Sequence, residues 1–381
     1  MRALLRWTLR AAAVAYPLLL LAIVAVFRWV GESWWVATIG LYLPRWGFAL
    51  PLPFLLLALL AARWFRWLVS PLLATAIILF PLMGLHVGGT RRPAAGATRV
   101  TVMTLNMGFG HAGTAPVISL IREVGADVVA LEAVGGNFAA LRAGLAEYSF
   151  ARDGELAIGS RLPMDQFVVG PPVVEAGVSH PGMYVRCRLT TAAGQVRLYA
   201  VHPTSPHSTF DEIRGDGLRQ TILTGRIFGA EARQEMTANT DERLAQLGAV
   251  AADARSSPYP VLIAGDTNLP GLSPAFVRLF GEYHDAFAEA GRGFGYTYPA
   301  DKSPWMRIDR ILAVPGLRIV SAFTPRRRIY KHLAVVADVE LAPVGHERTS
   351  SRVADVEQGE RSGAAKNNQA AVAVRTGKPL F

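Results

Sequence analysis

Pro260-Val261-Leu262-Ile263-Ala264 is an apolar run of strand length that stops on the polar turn Gly265-Asp266-Thr267-Asn268. Branched apolar residues suit a buried strand, and a glycine with small polar residues suits the turn that follows. The same grammar recurs along the chain. Arg99-Val100-Thr101-Val102-Met103-Thr104-Leu105-Asn106 alternates, is rich in β-branched residues and ends on an asparagine. Asp127-Val128-Val129-Ala130-Leu131, Leu156-Ala157-Ile158-Gly159-Ser160 and Val196-Arg197-Leu198-Tyr199-Ala200-Val201 read as further strands, the last running into His202. Residues 116–124 carry the apolar stripe of a helix. Residues 240–254 form the strongest helix pattern, with Thr240, Asp241 and Glu242 suited to its start. Strands outnumber helices, and several follow one another with no helix between. That order predicts packed sheets with helices outside, not a doubly wound parallel sheet.

The chain has 381 residues and a formal net charge of +10. Residues 1–92 hold nine Arg and one acid, Glu32; residues 344–381 hold six Lys/Arg and four Asp/Glu; residues 93–343 hold 24 of each. The basicity therefore belongs to the two ends, and it gives no reason for the middle to bind nucleic acid. The single cysteine, Cys187, excludes an intramolecular disulfide and sits in an alternating run, where it reads as a packing residue. Three regions follow: an apolar segment (1–92), a globular α/β domain (98–342) and a Ser/Gly/Ala/Gln-rich tail (343–381) expected to be disordered. The long polar stretch 207–239 reads as a surface insertion.

In the first region, arginines separate the apolar stretches 11–27, 47–62 and 67–89, with Trp29, Trp34, Trp35, Trp46, Trp64 and Trp67 at their margins. Such aromatics favour membrane interfaces, and a span needs about 20 residues. About three transmembrane helices are expected, with two spans and a re-entrant segment as the alternative. Three spans place Arg2, Arg6, Arg10, Arg63 and Arg66 on the cytoplasmic side. Arg28, Arg45, Arg91 and Arg92 then lie outside, and the expectation is a multi-pass cell-membrane protein whose domain 98–342 is extracytoplasmic.

Polar residues recur just after strands: Asn106, His202, Asp266, Asn268, Asp309 within Arg307-Ile308-Asp309-Arg310-Ile311-Leu312, and His332. Their order resembles that of the endonuclease/exonuclease/phosphatase superfamily, over residues 98–342. Ile158-Gly159-Ser160-Arg161-Leu162-Pro163 and Tyr296-Thr297-Tyr298-Pro299 are similar to further stretches of that family. The resemblance implies a four-layer α/β/β/α sandwich of two mostly antiparallel sheets, and hydrolysis of phosphate esters. It makes His332 the base or a phosphate contact oriented by Asp309, and Asp266 the group that positions or activates water. Asn268 and Asn106 become donors to phosphate oxygens or orienting groups, and His202 a phosphate contact or an aid to the leaving group. These residue types suit the chemistry by themselves, since His and Asp transfer protons and Asn amides donate hydrogen bonds.

Two departures concern the metal that the resemblance implies, Mg²⁺ or Mn²⁺. The family's ligand is the glutamate of Asp-Val-Val-x-Leu-Gln-Glu, and here Ala133 occupies its place while Glu132 stands one residue earlier. On a regular strand that shift sends Glu132 to the opposite face unless a bulge restores it. The family's Ser-Asp-His becomes Tyr330-Lys331-His332, so an ammonium replaces an acid. Three arrangements remain open. Glu132 binds one metal ion and Lys331 points away; Lys331 supplies the positive charge toward substrate in place of a metal; or the domain binds a phosphorylated ligand without turnover. Partners expected are the lipid bilayer and a phosphorylated, lipid-linked substrate, with no specific nucleic acid. An extracytoplasmic nuclease or phosphodiesterase is the enzyme alternative, and an anionic-lipid-binding domain the non-enzyme one.

Overall fold

The structure, a computed structural model, describes residues 2–111, 113–206 and 229–341. The expected tail and residues 207–228 of the expected insertion lie outside them.

The described residues hold sixteen strands: β1 (His86–Val87), β2 (Thr98–Asn106), β3 (Val128–Glu132), β4 (Ser149–Asp153), β5 (Leu156–Ser160), β6 (Met164–Val169), β7 (Val173–Glu175), β8 (Val178–His180), β9 (Tyr184–Thr191), β10 (Gly194–Val201), β11 (Val261–Asp266), β12 (His284–Asp285), β13 (Arg292–Gly293), β14 (Asp309–Ala313), β15 (Leu317–Phe323) and β16 (Val335–Leu341). Two six-stranded mixed sheets result, ordered β15-β16-β2-β3-β5-β4 and β12-β14-β11-β10-β9-β6. Each has one parallel pair, β2 with β3 and β10 with β11, and is otherwise antiparallel. The sheets face each other across a core that includes Val102, Val128, Ala130, Cys187, Leu198, Leu262, Ile311 and Val339. Period-2 alternation sends the other residues outward. Met103, Leu105, Val129 and Leu131 pack with Val117, Leu120, Ile121 and Leu141 of two helices, Ala115–Val124 and Phe138–Gly144. Tyr199, Val201 and Ile263 pack with Leu247, Val250, Ala251 and Phe280 of Ala230–Arg255 and Pro274–Phe280. This is the expected α/β/β/α sandwich, and Cys187 is one of its core residues.

Ala230–Arg255 starts ten residues before the expected helix, so residues 230–239 are not an irregular insertion. Thr240, Asp241 and Glu242 lie inside it. The preceding Ala-Glu-Ala-Arg-Gln-Glu-Met is made of strong helix formers, which need no apolar stripe to extend a helix.

The apolar segment forms α1 (Arg2–Ala25), α2 (Trp35–Tyr42), α3 (Pro51–Ala61) and α4 (Val69–Ile77). Two continuous stretches, Leu4–Ser33 and Phe65–Leu82, are long and apolar enough to cross a membrane. Trp35–Tyr42 and Arg45–Ala61 make a third only as a pair bent by 90°. The expected middle span, 47–62, is thus interrupted. Its regular helix has 11 residues, which reach about 16 Å, roughly half of the hydrocarbon thickness.

The start of α1 lies beside the turn joining α3 and α4, where Arg10 sits 5.2 Å over the Trp64 ring. The opposite ends meet the sandwich. Arg45 donates to the carbonyls of Leu82 (2.8 Å) and Gly271 (2.6 Å), and Tyr296 donates to Met83 (2.8 Å). Glu32 accepts from the Ser273 hydroxyl at the start of Pro274–Phe280. One apolar cluster joins Leu20, Phe27, Leu41 and Ile78 to Tyr298, Met306 and Ile308, so burial as well as hydrogen bonding seats the segment on the domain.

Candidate active site

The topology brings the sequence-selected residues to one rim. Asn106 and Asp266 end β2 and β11, and His202 follows the end of β10. β14 runs antiparallel to β11, with Asp309 in register with Asp266. β16 runs antiparallel to β2, which brings His332, just ahead of it, to the same end. Gly265 belongs to this construction. Its φ is +149°, and a Cβ there would lie 2.1 Å from the Val201 carbonyl oxygen, so only glycine allows the close approach of β10 and β11.

At the centre, Asp266 Oδ2 lies 3.8 Å from Nε2 of both His202 and His332. Each imidazole has a carboxylate behind it. His332 Nδ1 is 3.0 Å from Asp309 Oδ2, and His202 Nδ1 is 2.5 Å from Glu155 Oε1. The Asn106 amide donates to Asp266 (3.2 Å) and lies 3.1 Å from His202 Nε2. Asn268 is in the left-handed region, φ 49°. Its backbone N–H donates to Asp266 Oδ1 (2.9 Å) and its side-chain amide to the Pro203 carbonyl (2.9 Å). Asn268 thus holds the turn, and one of its two amide hydrogens is already committed.

Burial alone would lower both histidine pKa values. For His332 the facing carboxylates of Asp309 and Asp266 outweigh it, and for His202 those of Glu155 and Asp266 do, so both are raised. Burial and the neighbouring Asp309 raise the Asp266 carboxyl, against the opposing pull of the two histidines. Raised carboxyl and imidazole values in one cleft suit proton transfer near neutral pH.

Sequence reasoning missed Glu155. It sits in the short connection between β4 and β5, where no spacing or motif distinguishes it from any turn acid. Glu155→Gln is expected to lower kcat about 10–100-fold with little change in KM, by analogy with other histidine-orienting groups. Loss of the carboxylate also lowers the His202 pKa, so the alkaline limb of the rate profile should move to lower pH. A pH–rate series on the variant checks both.

Glu132 stays beside the site without the bulge that alternation would require. β3 pairs regularly with β2, with Asn106 opposite Glu132 and no bulge between them. Its side chain nevertheless lies on the face between the sheets, where Oε1 accepts from the Thr104 hydroxyl (2.7 Å). The alternation argument fails because the strand ends at Glu132. Ala133 is left-handed, φ 49°, and lines the pocket in the place expected for the family's ligand. Glu132 is fully buried beneath the pocket, its Oε2 has no partner, and burial with Asp309 and Asp266 nearby raises its carboxyl well above the usual range. A different set can hold a cation: Asp266, Asp309 and His332 offer one donor atom each, all within 4.8 Å of one another. The two hard carboxylate oxygens and the imidazole nitrogen are donor types that divalent metals accept. Lys331 lines the same pocket, with Nζ 5.8 Å from the centre of the Tyr330 ring.

The pocket measures ≈ 350 Å³. Besides the polar cluster, Lys331, His111 and Ser205, its walls are formed by Phe109, Tyr298, Met306, Ile308, Tyr330 and, from α2 of the apolar segment, Tyr42. The Tyr42 hydroxyl donates to the Asn268 carbonyl (2.7 Å), so a residue of the N-terminal segment supports the catalytic turn. Phe109 is 57 % exposed. No motif pointed to Tyr42, which reaches the site across 226 positions of sequence.

Facing sheets with a His/Asp/Asn cluster at one rim define a phosphoesterase fold. The family model described as "Endonuclease/Exonuclease/phosphatase family" matches residues 103–329, more than half of the chain, and the chain belongs to that family. Among solved structures, it is similar to a Bacteroides vulgatus endonuclease/exonuclease/phosphatase at 18% identity and TM-score 0.48, covering 64% of this chain and 100% of that one. A Beutenbergia cavernae protein of the same description shows 19% identity and TM-score 0.43, with coverage of 65% and 73%. D. rerio TDP2 complexed with single-strand DNA product shows 16% identity and TM-score 0.45, with coverage of 64% and 99%. Comparison with curated proteins returned no match.

Proposed function

We propose that this protein is a membrane-anchored hydrolase of phosphate esters, acting on a lipid-linked phosphate by in-line attack of water. The observation that carries the reading is a pair of carboxylate-backed histidines on either side of Asp266, in a pocket walled partly by the apolar N-terminal segment. Two helices long and apolar enough to cross a membrane support anchoring. The exposed Phe109 beside the pocket supports a substrate with an apolar part.

Asp266 positions the attacking water, and its raised pKa lets it share the water's proton. His332, held at Nδ1 by Asp309, takes a proton or contacts the phosphoryl group through Nε2. His202, held by Glu155, contacts the phosphate or donates to the leaving group, for which its raised pKa is suited. Asn106 fixes Asp266 and His202 relative to each other, and Asn268 fixes the Asp266 turn. The Asp266 and Asp309 carboxylates would be the anionic donors to a divalent cation, which when bound supplies positive charge to the phosphoryl oxygens. Lys331, on the pocket wall, adds positive charge to the same space.

The whole chain, reconstituted in phospholipid nanodiscs, is offered a prenyl monophosphate, bis(p-nitrophenyl) phosphate and single-stranded DNA, each with Mg²⁺, Mn²⁺ or chelator. The expected result is hydrolysis of the lipid substrate with metal and little degradation of DNA. Degradation of DNA in place of the lipid would make the protein a nuclease, and binding without turnover under every condition would make it a binding domain. Lys331→Asp separates the two sources of positive charge. It should raise the requirement for metal and abolish any activity that survives chelation; metal-free activity unchanged by the substitution would remove Lys331 from the site.

A further inference from the structure

A second cavity, of ≈ 450 Å³, lies where the ends of α1 and α4 meet the sandwich, and it shares only Met306 with the catalytic pocket. Arg28, Arg45 and Arg307 line it, and no Asp or Glu does. The local charge is unbalanced. Arg45 is buried, and its guanidinium donates only to neutral carbonyls, those of Leu41, Leu82 and Gly271. Arg307 shares one carboxylate, Asp285, with Arg310: each Nη1 lies 2.6 Å from it. Two guanidinium groups on one acid leave one positive charge. Arg28 is half-buried just beyond α1 and makes no ion pair among the described residues. Arg28, Arg45 and Arg307 thus bring three guanidinium groups to one cavity, and the only carboxylate paired with any of them, Asp285, is shared with Arg310.

Buried or half-buried cations without a counter-charge are costly, and arginine forks match phosphate oxygens better than they match carbonyls. The remaining walls include apolar side chains, among them Val24 and Phe80 of the two stretches long enough to cross a membrane and Trp305 of the sandwich. We propose that this cavity binds the phosphate headgroup of an anionic phospholipid, separately from the substrate, and that the bound lipid joins the membrane helices to the catalytic domain. The inference rests on the reading of the N-terminal segment as membrane-embedded. Basic pockets between membrane helices are suited to such headgroups.

The test uses the full chain in nanodiscs of phosphatidylcholine doped with phosphatidylglycerol, released for native mass spectrometry. One phosphatidylglycerol should remain on the wild type, and Arg28→Gln should lower its occupancy at least fivefold, whereas Arg28→Lys should retain it. Turnover of a soluble diester should be unchanged in Arg28→Gln, which shows that the domain is folded, because Arg28 lies outside the catalytic pocket. Equal retention of phosphatidylcholine, or equal occupancy in Arg28→Gln, would overturn the proposal. So would displacement of the lipid by millimolar inorganic phosphate, which would assign the cavity to the free anion. A carbonate wash separates the two levels of the argument. Release of the protein from membranes would remove the anchoring reading together with this one, while retention without lipid selectivity would remove only this one.

Discussion

His332→Ala should reduce turnover by about 10²- to 10⁴-fold, the usual contribution of a positioned acid–base group, equivalent to about 3–5 kcal/mol of barrier. The size of the effect follows from what the imidazole does. Its Nδ1 is committed to Asp309 and its Nε2 faces Asp266, so no other side chain can take over that position. The ring also packs on Tyr298, with centroids 4.8 Å apart, so part of any loss could come from the fold. His332→Gln, closer in volume, separates the two. It should keep the wild-type unfolding temperature and lose the same turnover. Turnover within tenfold of wild type in both variants would remove His332 from the chemistry.

The second large effect lies away from the pocket. Asp285→Asn should destabilise the domain by about 3–5 kcal/mol, because it strands two charged guanidinium groups. Arg307 and Arg310 both bond to this carboxylate, and the Arg310 side chain is 1% exposed. Asp285 also accepts from the Ala288 amide at the start of helix Ala286–Ala290. Burial would raise its carboxyl pKa, but the two arginines outweigh that and hold it well below the usual carboxylate range. A depressed folded-state pKa gives stability that is complete above the unfolded value, near 4, and is lost as pH falls through the folded one. The stability gap between wild type and Asp285→Asn should thus be constant above about pH 5 and narrow below about pH 4. Thermal unfolding in detergent at several pH values measures it, and a gap that widens on acidification would contradict the assignment.

Much of the sandwich is legible in the sequence because its strands are short, apolar and closed by recognisable turns. Asp266, Asp309 and His332 are legible for the same reason, since each stands at a strand end and the strand order brings those ends together. Glu132 was misread where a local rule met its limit: alternation holds only while the strand continues, and the chain leaves it at the left-handed Ala133. Glu155 and Tyr42 were not legible. Their contacts are made by tertiary packing between segments whose local patterns carry no trace of the partner. The early start of Ala230–Arg255 was missed because helix propensity without an apolar stripe resembles a polar loop. The middle apolar stretch shows that composition sets whether a segment can enter a membrane, while its bends depend on what it packs against.

In-line hydrolysis requires this pocket to deliver water to phosphorus. That requirement is tested most directly by single-turnover hydrolysis of the lipid-linked phosphate in ¹⁸O-enriched water, followed by mass analysis of both products. One ¹⁸O in the released phosphate and none in the alcohol is the expected result, and its rate should collapse in His332→Ala. Label in the alcohol, or labelled phosphate formed equally fast by the variant, would contradict the account.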